Sequence, residues 1–289
     1  MLLDITSTPQ NDITYGGVSC LKIGVTIDNK NYLVKFPGNI KDEPVCEHLG
    51  SQIFKLFGMP VHETMLVKRG EKLVAMCEDF LDDAESLAEF REFKATFEPA
   101  FINGNGEVSD GTGTDIDEAL LVIREHPHLK RFSNLEQFFW RMFIIDALIG
   151  NPDRNNGNWG IIRHNRKLDR IAPVYDNGNC LNNKWDDNKI KKCMEDPQKL
   201  QNEIYKAKVC FYTQNGHRVN PFTLIDSGKY EECTKALEWF KQHYNFNEIE
   251  SLINSCEQLT ETQKTFYKLL IEERFKILTS THKLNVFLV

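Results

Sequence analysis

Gly150-Asn151-Pro152-Asp153-Arg154-Asn155-Asn156-Gly157-Asn158-Trp159-Gly160, followed by Pro173-Val174-Tyr175-Asp176-Asn177-Gly178, is the stretch from which the rest of the chain is read. It sets a carboxylate, then an amide, then a second carboxylate further on. That order suits phosphoryl transfer, which needs a base for a hydroxyl acceptor and hard oxygen ligands for Mg²⁺. Asp153 is the candidate base, with Asn158 and Asp176 the candidate metal ligands. The same segment also has the composition of a solvated turn, because Asn, Asp and Gly dominate turns for backbone reasons. A calcium loop starting at Asn151 fails twice: Asn156 stands where Gly is required, and Ile162 where a bidentate Glu is required.

Upstream, Phe138 to Ile149 forms an apolar run interrupted by Arg141 and Asp146, too short to span a bilayer. It reads as a buried helix whose Asp146 supports the adjoining loop, and Ser133 with Glu136 predicts a capping box at its start. Before it, a Gly-, Asn- and Asp-rich loop over 103–117 caps a helix running to Glu125. Trp159 to Ile162 and Ile171 to Tyr175 read as short strands, turning at His164 to Arg166, that deliver Asn158 and Asp176. Beyond Pro197 the periodicity is helical, most clearly over 230–241 and 261–278.

The N-terminal part has strand character. Leu21, Ile23, Val25 and Ile27 alternate up to a turn at Asp28-Asn29, and Tyr32, Val34 and Phe36 resume the alternation. Lys35 therefore points to the face opposite Val34. Val45, Leu49, Ile53 and Leu56 recur at helical spacing until Gly58, with Glu47 at the edge of the stripe and Glu43 one turn earlier. Glu47, or more weakly Glu43, is the candidate ion partner of Lys35. Taken singly, Lys35 also reads as an ordinary surface lysine. Strands follow over 64–67 and 73–77. The Gly16-Gly17-Val18-Ser19 turn offers backbone amides to phosphates, although a plain turn has the same composition.

The chain has 289 residues and a formal net charge of −7, which disfavours binding nucleic acid through bulk positive charge. Its eight cysteines are scattered, with no C-x-x-C pair, and read as reduced thiols. Met1 to Gln10 lacks the basic and apolar regions of a secretory signal, so a cytoplasmic location is expected.

The order Lys35, Glu47, Asp153, Asn158 and Asp176 resembles the HipA-like serine/threonine protein kinases, and among them the short stand-alone members of gut bacteria. The similarity runs from Gly16 to about Gly178. It implies an α+β, bilobal protein-kinase-like fold akin to phosphoinositide kinases. The small β-rich N-lobe with one helix would span 1–82, and a larger, mainly helical C-lobe 83–289. By the same resemblance Asp153 is the catalytic aspartate, Asp176 the metal aspartate and Lys35 the contact to the α- and β-phosphates. The backbone of Met76, Cys77 and Glu78 would meet the adenine. The implied cofactors are ATP and Mg²⁺, and the implied partner is a protein substrate, extending to a host-cell protein reached without a signal peptide or to the kinase itself. Asn155 departs from the His common after Asp-Arg in related chains. The absence of His-Arg-Asp and of G-x-G-x-x-G before Lys35 excludes a eukaryotic-type kinase. With no basic helix to contact DNA, no nucleic-acid partner is expected. A lipid or small-molecule kinase of the same fold, and a nucleotide-binding pseudokinase or interaction module, are the alternatives.

Overall fold

Asp28 and Asn29 take φ values of 49° and 62°, the left-handed pair that a two-residue hairpin turn requires, and the N-terminal sheet grows from that turn. The computed structural model describes residues 2–16, 20–38, 43–97, 110–205 and 212–280. In chain order the N-terminal elements are β1 (Leu3–Asp4), β2 (Lys22–Ile27), β3 (Lys30–Lys35), α1 (Glu43–Leu56), β4 (Thr64–Arg69) and β5 (Lys72–Glu78). Next come β6 (Glu85–Glu89), α2 (Phe90–Thr96), α3 (Ile116–Glu125), α4 (Leu135–Ile149), β7 (Gly160–His164) and β8 (Lys167–Ile171). The remainder is α5 (Asp187–Met194), α6 (Pro197–Tyr205), β9 (Thr213–Gln214), β10 (His217–Arg218), α7 (Pro221–Asp226), α8 (Glu231–His243), α9 (Phe246–Ser255) and α10 (Glu261–Thr279). The chain is thus α+β, as expected.

One compact unit comprises Met1–Phe80, Val174–Leu200 and Asn245–Leu270. Its sheet has the order β1-β4-β5-β3-β2, with β1 parallel to β4 and the other pairs antiparallel. Alternation of side chains gathers Val25, Val34, Val67, Val74, Met76 and Ile5 into a core on one face. Lys35, out of phase with Val34, takes the opposite face with its cross-strand partner Ala75. There α1 packs on β4 and β5, burying Val45, Leu49, Ile53 and Phe54, until Gly58 ends the helical run at φ 75°. Helix α9 covers another side of α1. The first break between units falls between Phe80 and Leu81, and both units are discontinuous in sequence. The segments 174–200 and 245–270 group with the N-terminal part because Asn177, Cys180 and α9 lie against α1.

The other unit comprises Leu81–Pro173, Gln201–Tyr244 and Ile271–Val289. Helix α4 is its axis, apolar nearly all round and buried by α3, α7 and α8, as a helix without a polar face must be. A sheet ordered β6-β7-β8 lies in the same unit. Asn165 and Arg166, both at positive φ, make the β7–β8 turn, so β8 starts earlier than the expected strand and 171–175 keeps a single bridge, Val61 to Val174 in the first unit. The expected capping box does not form. Asn134 caps α4 without a side-chain bond, because Glu136 is taken by the Arg124 guanidinium and the Trp140 indole N–H. Among the described residues no helix is long and apolar enough to cross a membrane.

Gly160 shows how tightly β7 is seated: a Cβ there would stand 2.1 Å from the Ala88 carbonyl oxygen and 3.0 Å from Glu89 Cα. Both are backbone atoms and cannot swing aside. Gly160→Ala is expected to lower stability by about 1–3 kcal/mol, the usual cost of overpacking. Urea denaturation checks this, and an unchanged midpoint would contradict the close approach.

Candidate active site

Lys35 is 6% exposed, and an ammonium taken from water needs anions close by. Its Nζ donates to Glu47 Oε2 at 2.8 Å and to Asp176 Oδ1 at 2.8 Å. Burial works to lower the pKa of Lys35, but the Asp176 and Glu47 carboxylates outweigh it and hold the ammonium charged well above the usual lysine range. Burial pushes Glu47 up, yet Lys35 and His62 hold its carboxyl well below the usual range. For Asp176 the Lys35 charge is the largest influence and lowers the pKa against burial and the Glu47 charge. Of the two helix glutamates considered, Glu47 is the bonded partner.

Asp176 sits at φ 59°, a left-handed conformation that costs a non-glycine residue on the order of 1 kcal/mol and persists where neighbours over-determine it. The neighbours are specific. The Asn177 N–H donates to Glu47 Oε1 at 3.2 Å, and Asn177 Nδ2 to Ser51 Oγ at 2.9 Å. Asn183 Nδ2 donates to the Gly178 carbonyl at 2.6 Å. Helix α1 can approach this turn because Gly50 has no side chain: a Cβ there would lie 3.0 Å from both Asn177 Cβ and Cys180 Sγ. Glu47, His62 and Cys77 present ligand atoms within 4.8 Å of one another. Lys35 already neutralises Glu47, His62 bonds the other Glu47 oxygen, and burial pushes the Cys77 thiol up, so the grouping reads as packing around an ion pair.

At the other end of β5, Glu78 pairs with Lys30 at 2.8 Å, and its N–H donates to the Glu63 carbonyl at 2.8 Å. Met76 joins the sheet core, while Cys77 lies on the Lys35 face. Tyr15 Oη donates to Asp79 Oδ2 at 2.8 Å, and Lys22 Nζ to the Gly16 carbonyl at 2.9 Å. These bonds tie the start of the glycine turn to its sheet. Gly17, Val18 and Ser19 lie outside the described residues.

In the second unit α4 ends at Gly150, φ 74°, and the loop that follows is held by bonds its composition makes possible. Asp146, buried on α4, accepts from Arg154 Nε at 2.9 Å and from Asn151 Nδ2 at 2.9 Å. Burial pushes the Asp146 carboxyl up in spite of Arg154. Arg154 Nη1 donates to the Asn158 carbonyl at 3.0 Å. The Asp153 N–H is received by Asn151 Oδ1 at 3.1 Å, and the Asp153 carbonyl by contrast accepts from Asn158 Nδ2 at 2.7 Å. A carbonyl needs a donor, so the amide of Asn158 is oriented with Nδ2 toward the Asp153 carbonyl and Oδ1 on the other side. Asn156 Nδ2 donates to the Gly111 and Gly113 carbonyls, each at 2.9 Å, and Tyr212 Oη donates to Asn156 Oδ1 at 3.1 Å. Arg274 from α10 reaches the Leu148 carbonyl at 3.3 Å and fills the space above Gly150.

The structure brings Lys35, Glu47 and Asp176 together in one unit and links Asp153 to Asn158 in the other. Sequence reasoning missed Ser51, His62, Asn177, Arg154 and Asn156. For Arg154 a signal existed, since an acid inside an apolar helix must have a cation nearby.

A buried lysine shared by a helix glutamate and an aspartate, on a five-stranded sheet with one helix, is the kind of ion pair that protein kinases carry. The comparisons agree. The chain is 29% identical over 279 residues to the serine/threonine-protein kinase CtkA of Helicobacter pylori, covering 93% of this chain and 83% of that one. The crystal structure of a Helicobacter pylori proinflammatory kinase CtkA superposes with a TM-score of 0.88 at 27% identity, covering 96% of this chain and 97% of the other. The chain is a homologue of that kinase and shares its fold. A Shewanella oneidensis HipA, solved with HipB and operator DNA, aligns at a TM-score of 0.43 and 14% identity. No protein-family profile matches the chain.

Proposed function

We propose that this protein kinase moves the γ-phosphoryl group of ATP to a Ser or Thr hydroxyl of a protein, its own chain included. The observation that carries the reading is the Lys35 ammonium held at 2.8 Å from both Glu47 and Asp176. One cation and one partly exposed carboxylate side by side fit a phosphate and the metal that accompanies it. The donor set suits Mg²⁺: Asp176 offers an anionic oxygen and Asn158 a neutral one. Held by Asp176 and Asn158, Mg²⁺ would supply positive charge to offset that of the phosphates.

The chain's own residues do the rest. Lys35, oriented by Glu47, neutralises the α- and β-phosphates. Asp153 receives the proton of the attacking hydroxyl. The Gly16 turn offers backbone groups to the phosphates, and those at the end of β5, Met76 to Glu78, meet the adenine. In functional terms we divide the chain into a nucleotide-covering lobe, 1–82, and a catalytic lobe, 83–289. The acceptors are sought in the producing cell and in a host cell.

Incubation with γ-labelled ATP and Mg²⁺, in the presence of a protein extract and phosphoinositide vesicles, tests the acceptor. Label is expected on Ser or Thr of protein. Label confined to the lipid fraction would make the chain a lipid kinase of this fold, and nucleotide binding without transfer a pseudokinase.

A further inference from the structure

Four buried groups close a ring behind Glu47. Asn177 Nδ2 donates to Ser51 Oγ at 2.9 Å, Ser51 Oγ meets His62 Nε2 at 3.1 Å, and His62 Nε2 meets Glu47 Oε1 at 3.1 Å. The Asn177 N–H returns to the same Oε1 at 3.2 Å. All four residues are buried. The chain also joins the two ends of the ring: the His62 N–H donates to the Val174 carbonyl at 3.1 Å and the Val174 N–H to the Pro60 carbonyl at 2.8 Å. His62 therefore runs beside the segment that enters the Asp176 turn.

Proton accounting assigns the imidazole. A carboxylate oxygen is an acceptor, so the nitrogen facing it must carry hydrogen. Nε2–H is then forked between Glu47 Oε1 and Ser51 Oγ. The carboxylate of a glutamate rotates in a broad, two-fold well, and Glu47 must serve Lys35 with one oxygen and the buried Asn177 amide with the other. A buried N–H left without an acceptor is costly. Something has to stop that rotation, and His62 is the group placed to do so.

We infer that His62 is a positioning residue which, through Glu47 Oε1, fixes the Asn177 amide and so keeps Asp176 in its left-handed turn. The inference rests on the proposed role of Asp176. Loss of the Nε2 donor is expected to loosen the turn that presents the aspartate while leaving the fold in place.

The test compares His62→Leu, which keeps bulk without a donor, with His62→Gln, whose side-chain amide supplies an N–H at similar reach. His62→Leu is expected to lower kcat by about 10- to 100-fold, the usual scale for outer partners of a metal-binding group, and to speed hydrogen exchange at the Asn177 amide. His62→Gln should recover most of both, with similar melting temperatures for the two variants. In a Glu47→Gln background His62→Leu should add little, because the two act in series. Equal behaviour of the two His62 variants, or losses that follow melting temperature with Asn177 exchange unchanged, would overturn the inference. Should the wild type transfer no phosphate, the functional reading fails, and the exchange comparison still decides for or against His62.

Discussion

Asp153→Asn is expected to reduce kcat for phosphoryl transfer by roughly 10²- to 10⁴-fold, the range that a positioned general base contributes, and to leave ATP affinity unchanged. The substitution is a clean one. The bonds that shape the loop use the Asp153 backbone: its N–H is received by Asn151 Oδ1 and its carbonyl accepts from Asn158 Nδ2. The side-chain bond from Asn155 Nδ2 to Asp153 Oδ1 at 3.2 Å survives because an asparagine keeps that acceptor. What disappears is the capacity to take a proton. Single-turnover kinetics with labelled ATP would measure the drop, and a variant as active as the wild type would remove Asp153 from the mechanism.

Lys35→Met strikes at both binding and stability. Removing one partner of a buried ion pair costs about 3–5 kcal/mol, because the other charge stays in place without compensation. Most of that falls on Glu47, whose side chain is 1% exposed. The Asp176 side chain is 37% exposed and partly screened by water. The variant should acquire a pH dependence near neutrality that the wild-type cluster lacks. In the wild type, Glu47 and Asp176 have folded-state pKa values below their unfolded ones, so their contribution is present above the ordinary carboxylate range and is lost as pH falls through the lowered values. Lys35, raised in the folded state, contributes fully below its ordinary range and loses that contribution only as pH rises through the raised value. The contribution of this cluster is therefore flat near neutrality in the wild type. Without the ammonium, burial raises the Glu47 carboxyl, and the variant should gain stability on acidification from about pH 8 to about pH 5. Thermal melts across that interval read this directly. A Lys35→Met variant with wild-type stability and no such trend would show the cluster to be energetically idle, and retained ATP turnover would remove Lys35 from the phosphate contact.

Much of this was legible because the relevant periods are local. The alternation around Val34 put Lys35 on the face away from the core, and the helical spacing through Leu49 put Glu47 at the edge of the stripe that meets that face. The Asp28-Asn29 turn set the register that joins those strands. Long helices such as α8 and α10 were visible from periodicity. Strand β6 and helix α2 were not, since Glu85–Glu89 alternates weakly and is charged at both ends. Ser133 and Glu136 satisfied a capping pattern that tertiary contacts with Arg124 and Trp140 overrode. His62 and Ser51 carried no signal, because their role exists only once the chain folds residue 177 back onto α1. The left-handed turn at Asp176 was equally hidden: Asp tolerates it, but what enforces it lies far away in sequence.

We propose that the Asp176 turn, set beside Lys35, holds the metal of a metal-bound nucleotide. Calorimetric titration of ATP into the wild type and into Asp176→Asn, each with and without Mg²⁺, tests it most directly. Mg²⁺ is expected to strengthen ATP binding to the wild type, and Asp176→Asn to lose this gain while remaining folded. Wild-type affinity indifferent to Mg²⁺, or a variant that keeps the full metal-dependent gain, would contradict it.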